Sequence, residues 1–164
     1  MFKNKFRVFL AVLFSILITG NLLSQSGFED ALKKASGENK RIIVDVYTDW
    51  CGWCKKMDAD AYSNKEIISI IEDNFVLVKL NAESSQKINY NGKQYTEEEL
   101  SYYFDVFSFP TTVFLEPDGT LITFSYDKYP MKNVPGFVKA DDFKKLLVYI
   151  RDGKYKDTDL SKIL

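Results

Sequence analysis

An almost continuously apolar run, Ile42-Ile43-Val44-Asp45-Val46-Tyr47, delivers the chain within four residues to Cys51, which with Cys54 makes up all the cysteine in the sequence. β-Branched residues at this density read as a strand covered on both faces. Residues 51–61 that follow have helical character, so the cysteine pair belongs to a strand-to-helix junction. Residues 65–72, with Ile67, Ile68, Ile70 and Ile71, read as helix, and residues 75–80 return to strand. Strand, helix, strand implies parallel pairing through a right-handed crossover, and the fold class expected is α/β.

At that junction Cys51 lies in the first helical turn, where unpaired backbone N–H groups favour a thiolate; Cys51 is the expected nucleophile. Cys54 is nearly one turn further on, so its sulfur can reach that of Cys51 and resolve a mixed disulfide. A structural zinc site needs two more ligands. The chain has no histidine and no third cysteine, which leaves only a four-thiolate site shared by two chains as a zinc reading; no metal is expected. The missing histidine also removes Ser-His-Asp triads and Cys-His dyads.

With 164 residues, 46% of them hydrophobic, the chain supports one domain with a full core. Lys and Arg number 22 against 23 for Asp and Glu, so no basic surplus advertises a phosphate-binding surface and nucleic acid is not an expected partner. Lys3, Lys5 and Arg7 precede an apolar run over residues 8–18, too short for a comfortable membrane span. With the small residues Ser24 and Ser26 beyond it, residues 1–26 read as a signal peptide, or as an uncleaved anchor lengthened by Leu22 and Leu23. Residues 27–164 are then a single domain, exported to the periplasm or another extracytoplasmic space. Disulfides persist there, yet two cysteines cannot build a structural framework, and the pair is expected to be functional.

Further along, residues 28–35 space apolar side chains at helical intervals. Thr96 and Glu99 form a capping box for a helix expected to run to about Asp105. Residues 111–115 and 121–126 flank Pro117-Asp118-Gly119 and read as a hairpin. Phe143, Leu146, Leu147 and Ile150 lie on one face of a last helix, which Gly153 closes. Residues 82–95 read as a polar segment with turn residues Asn89, Asn91 and Gly92. That segment and residues 127–134 are candidates for specificity elements or for neutral surface insertions.

In this order and spacing, the Val44-to-Cys51 strand ending in Trp50-Cys51-Gly52-Trp53-Cys54, the Phe109-Pro110-Thr111 loop before an apolar strand, Val78-Lys79-Leu80-Asn81 and Pro135-Gly136-Phe137 together resemble the thioredoxin superfamily, in particular its exported members. The resemblance covers nearly all of residues 27–164. It implies a thioredoxin-like fold, a central mixed β-sheet flanked by helices on both faces. It also implies a cis peptide bond at Pro110 beside the cysteines, a lysine, Lys79, near the buried acid Asp45, and a glycine turn at Gly136.

A carboxylate in an apolar strand is costly to bury, so Asp45 is expected to have a raised pKa and to exchange a proton with Cys54 as general acid/base; the other reading is a strand-end aspartate that reaches solvent. Lys79 either tunes that acid or is a solvated charge. The Phe109 backbone is expected to pair with an extended substrate segment, with Gly52, Pro110 and Gly136 completing the substrate groove, and Trp50 and Trp53 either rim that groove or pack against the domain. The redox-active disulfide replaces any cofactor. The expected activity is thiol-disulfide oxidoreduction on exported proteins by a monomer, through a Cys51 mixed disulfide resolved by Cys54. Gly52-Trp53 lacks both the histidine of strongly oxidising relatives and the proline of cytosolic thioredoxins, which points to a reductant. By the same resemblance, a membrane thiol-electron transporter recharges it. Net oxidation or isomerisation, and a non-catalytic binding module using the groove at Phe109 and Pro110, are the alternatives.

Overall fold

The computed structural model describes residues 27–164; the expected signal peptide or anchor lies outside them. The chain opens with α1 (Phe28–Glu38), which buries Phe28, Ala31 and Ala35 and stops at Asn39, whose left-handed φ of 52° turns the backbone into the first strand. Strand β1 (Arg41–Tyr47) is followed by α2 (Gly52–Met57), a π-helical turn at Asp58–Tyr62, α3 (Lys65–Asn74) and β2 (Phe75–Asn81). The Asn64 side chain accepts from the backbone N–H groups of Glu66 and Ile67 and so caps α3. Next come β3 (Lys87–Tyr90), β4 (Lys93–Thr96), α4 (Glu97–Tyr103), β5 (Thr111–Leu115), β6 (Phe124–Tyr126), β7 (Tyr129–Met131), β8 (Val134–Pro135) and α5 (Ala140–Arg151).

The central sheet has the order β2-β1-β5-β8, with β1 parallel to β2 and antiparallel to β5. It is the expected mixed sheet with helices on both faces. Side chains alternate across it. Ile42, Val44 and Val46 face a core shared with α1, α4 and Tyr90, while Ile43 and Phe114 face a second core built with α3 and α5. Asp45 takes the position after Ile43 on that second face. Its register partners there are Lys79 on β2 and Thr112 on β5. The second apolar layer is therefore interrupted by one polar row, Lys79–Asp45–Thr112.

Three local expectations are corrected. The helix capped by Thr96 and Glu99 ends at Tyr103, short of Asp105, which adopts a φ of 57°. The runs over 111–115 and 121–126 do not form an extended hairpin: they share a bridge at Leu115 and Leu121. Beyond it β6 pairs with β7, and β8 takes the place beside Thr111 and Thr112. The Asp159 carboxylate fastens the β6–β7 turn by accepting from the N–H groups of Asp127 and Lys128 and from the Ser125 hydroxyl. Finally, residues 82–95 are not a plain polar loop. They contain the β3–β4 hairpin, which turns at Asn91-Gly92 with φ values of 50° and 75° and sends Ile88 and Tyr90 into the core.

Candidate redox site

Cys51 is the N-cap residue of α2 rather than a member of its first turn, and its Sγ accepts from the Cys54 N–H at 3.0 Å. The two cysteines form a disulfide with Cα atoms 5.3 Å apart. The Cys51 N–H is in turn donated to the Thr48 carbonyl at 3.1 Å, which closes the bend between strand and helix. Both cysteines are buried, 3% and 5% exposed, so exposure does not distinguish attacker from resolver. The N-cap position does. A thiolate there gains the N–H of Cys54, whereas a Cys54 thiolate sits inside the helix without that donor.

Around the buried sulfurs the surface is aromatic. Trp50 is 67% exposed and held by an Nε1–H bond to Glu83 at 2.8 Å, with its ring edge-on to Phe109 at 6.1 Å. Trp53, 58% exposed, packs on Phe137 at 5.5 Å, and the Lys56 ammonium lies over both rings. Gly52 lies open, with no heavy atom near a Cβ built on it. The Phe109–Pro110 peptide bond is cis. The Pro110 carbonyl accepts from the Gly136 N–H at 2.7 Å, and Gly136, at a φ of 86°, turns the chain out of β8 just beyond its pairing with β5. Trp50, Phe109, Pro110 and Gly136 thus form one continuous edge, and Trp53 joins the surface through Phe137, the residue after Gly136.

On the central strand, Asp45 is 2% exposed. Burial pushes its carboxyl above the ordinary aspartate value, opposed by the Lys79 ammonium at 3.2 Å. Lys79 is also burdened by burial, but its contacts with Asp58 and Asp45 outweigh that and hold it above the usual lysine value. Its strongest partner is Asp58, at 2.7 and 2.9 Å. The sequence reading missed Asp58, although it lies four residues after Cys54 and so on the same helical face. It also missed Tyr62, a further four residues on, and Thr112. The Tyr62 hydroxyl and Thr112 Oγ1 are buried without a hydrogen bond.

This arrangement supplies an attacking sulfur with a backbone N–H, a second sulfur within bonding reach, a buried group able to hold a proton, and an aromatic surface for an extended polypeptide. Among the described residues no cluster of three or more His, Cys, Asp or Glu could hold a metal ion, and no helix is long and apolar enough to cross a membrane.

The model of the thioredoxin-like domain family matches residues 28–151. The chain is 25% identical over 122 residues to the thiol:disulfide interchange protein DsbD of Escherichia coli (strain K12), an alignment that covers 74% of this chain and 18% of that protein. A thioredoxin-fold protein from Helicobacter pylori aligns with a TM-score of 0.58 at 25% identity, over 76% of this chain and 79% of that one. The DsbD C-terminal domain of Neisseria meningitidis in its reduced form has the same fold, with a TM-score of 0.51 at 23% identity over 73% and 90%. The chain spans less than a fifth of the length of the curated relatives it matches.

Proposed function

The chain belongs to the thioredoxin-like family of disulfide oxidoreductases, and on that premise we propose that it reduces disulfides of exported proteins. The observation that carries this reading is the Cys51–Cys54 disulfide at the start of α2, bordered by the Phe109–Pro110 loop and by two exposed tryptophans.

In the dithiol state the Cys51 thiolate attacks one sulfur of a client disulfide. That S–S bond breaks, one client sulfur leaves as a thiolate and takes a proton from solvent, and a Cys51–client mixed disulfide forms. Cys54 then gives its proton to the Asp45 carboxylate and attacks Cys51 Sγ. The Cys51–Cys54 bond forms and the second client sulfur is released. That sulfur too leaves as a thiolate and is protonated by solvent, so the client has gained two electrons from the cysteine pair and two protons from solvent, while the Cys54 proton stays on Asp45. Electrons from a membrane thiol transporter restore the dithiol by the reverse exchange, with Asp45 returning its proton to Cys54. The client segment lies extended against the Phe109 backbone, between Trp50 and Gly136.

Export follows from the basic and apolar character of residues 1–26, and residues 27–164 act as one monomeric domain. Likeness to proteins named for thiol:disulfide interchange supports the exchange chemistry, and the absence of histidine beside the cysteines supports the reductive direction. The test is a single-turnover reaction of the dithiol chain with a disulfide-bonded protein. Loss of client disulfide matched by gain of the Cys51–Cys54 bond is expected, and a dithiol chain inert toward every disulfide offered would overturn the reading.

A further inference from the structure

Cys54, Asp58 and Tyr62 recur at intervals of four, and the π-helical turn at Asp58–Tyr62 carries the Tyr62 side chain back over the sheet, where its ring packs edge-on against Phe143 at 5.2 Å. Its hydroxyl is buried close enough to the Thr112 side chain to be influenced by it and to Asp45 to feel its charge, yet the two hydroxyls fall outside normal hydrogen-bond geometry and neither has another partner. Thr112 stands directly opposite Asp45 on the adjacent antiparallel strand, where facing side chains are near neighbours. Buried polar groups are nearly always satisfied. Two orphaned hydroxyls beside one buried carboxylate therefore ask for a use.

We propose that Tyr62 and Thr112 form a hydroxyl relay to Asp45, Tyr62 donating to Thr112 Oγ1 and Thr112 donating to the Asp45 carboxylate, which positions and charges that carboxylate for the Cys54 proton. The inference rests on the reading of Asp45 as the acid/base of the exchange. Hydroxyls suit this post because each can donate or accept by rotating. While Asp45 is charged, both point toward it. Once Asp45 has taken the Cys54 proton, its own O–H donates to Thr112 and the two hydroxyls turn away. Each hydroxyl keeps its own proton throughout. Burial holds Tyr62 protonated well above the ordinary tyrosine range, so it remains a donor at any working pH. The other groups facing Asp45 are Lys79 from β2, Asp58 from the π-helical turn and Tyr47 on its own strand. Lys79 is engaged by Asp58 more closely than by Asp45, which leaves a lone pair of the buried carboxylate for the relay.

Tyr62 and Thr112 are positioning residues, and the test reads Asp45 itself. In the full disulfide-form chain, carboxyl-carbon NMR follows the Asp45 titration, assigned by its disappearance in Asp45→Asn. Tyr62→Phe keeps the ring against Phe143, and Thr112→Val keeps the shape. Each should move the Asp45 midpoint upward and slow resolution of a preformed Cys51 mixed disulfide at pH 7 by roughly tenfold. The double variant should do no more than either single one, since both break one chain of bonds. Thr112→Ser should restore the midpoint, which keeps the test sharp even where Tyr62→Phe fails to fold. An unmoved midpoint in a folded variant, or two shifts that add, overturns the relay. Resolution at the unmodified rate in Asp45→Asn would overturn the acid/base role of Asp45 instead, leaving the midpoint shifts to decide the relay alone.

Discussion

Lys79 Nζ lies 3.2 Å from Asp45 Oδ2, reaching across from the same register position on the parallel neighbouring strand. Burial nonetheless dominates, and the Asp45 carboxyl sits above its ordinary value. Lys79→Met deletes the opposing charge and should raise that value further, because the charged form then has burial against it and no ammonium in its favour. The rising limb of the pH–rate profile for mixed-disulfide resolution should move to higher pH, as pH-jump kinetics on the trapped intermediate would show. A profile that stays in place would mean that Lys79 serves Asp58 alone.

The same shift has a consequence for stability. Between the ordinary aspartate value and the raised folded one, the folded chain holds a proton that the unfolded chain has released, so stability falls as pH climbs through that window and the full loss is present above it. Asp45→Asn removes the dependence. Urea midpoints of the variant should vary less from about pH 4 upward than those of the parent, and should lie above them at pH 7. Asp58 retains Lys79 in the variant, so no ammonium is stranded.

The two cysteines should fail differently. Cys51→Ser removes the attacking sulfur and should lower disulfide reduction by at least about 10³-fold with no client adduct. Cys54→Ser leaves the attack intact and blocks release, so a covalent client complex sensitive to dithiothreitol should accumulate on non-reducing gels. An adduct formed by Cys51→Ser through Cys54 would reverse the assignment made from the N-cap position.

Much of the fold was legible because its signals were local and dense. The apolar β1 run, the capping box at Thr96 and Glu99 and the apolar face of α5 each declare one element without help from the rest of the chain. The β3–β4 hairpin was readable too, since Ile88 and Tyr90 alternate just before Asn91-Gly92, but the polar residues on either side of that pair masked the pattern. The pairing of residues 121–126 was not readable. It depends on whether β7 or β5 offers the better edge, and on Asp159, far along the chain, capping the β6–β7 turn. In the site, Cys51, Cys54 and Asp45 stand out by residue type against their surroundings. Asp58 and Tyr62 needed the four-residue spacing from Cys54 to be followed through a π-helical turn, and Thr112 is placed beside Asp45 only by strand register.

The buried hairpin also yields a prediction. Tyr90 is enclosed by Phe28, Tyr103 and Phe104, and its hydroxyl donates to the Gly119 carbonyl at 2.8 Å. Tyr90→Ala should cost about 3–5 kcal/mol of stability by leaving a cavity and an unpaired carbonyl. Its distance in function from the cysteines should leave the Cys51–Cys54 reduction potential unchanged. Chemical denaturation and a redox titration on the same variant check both halves.

Trp50 and Phe109 pack edge to face, and the proposed groove takes them as its wall. Phe109→Ala should lower kcat/KM for protein disulfides by about 5- to 30-fold, the effect of losing about 1–2 kcal/mol at an interface hot spot. Reduction of a small disulfide such as oxidised glutathione, which makes little use of that wall, should change far less. Equal losses on both substrates would place Phe109 in the support of the cysteines rather than in the groove.

The reductive direction of the exchange is set by the equilibrium reduction potential of the Cys51–Cys54 pair, to be measured on residues 27–164 in glutathione and dithiothreitol buffers. A reductant should show a value below about −230 mV, toward the thioredoxin end of the family range. A value near roughly −120 mV would contradict it and make the chain an oxidant of its clients.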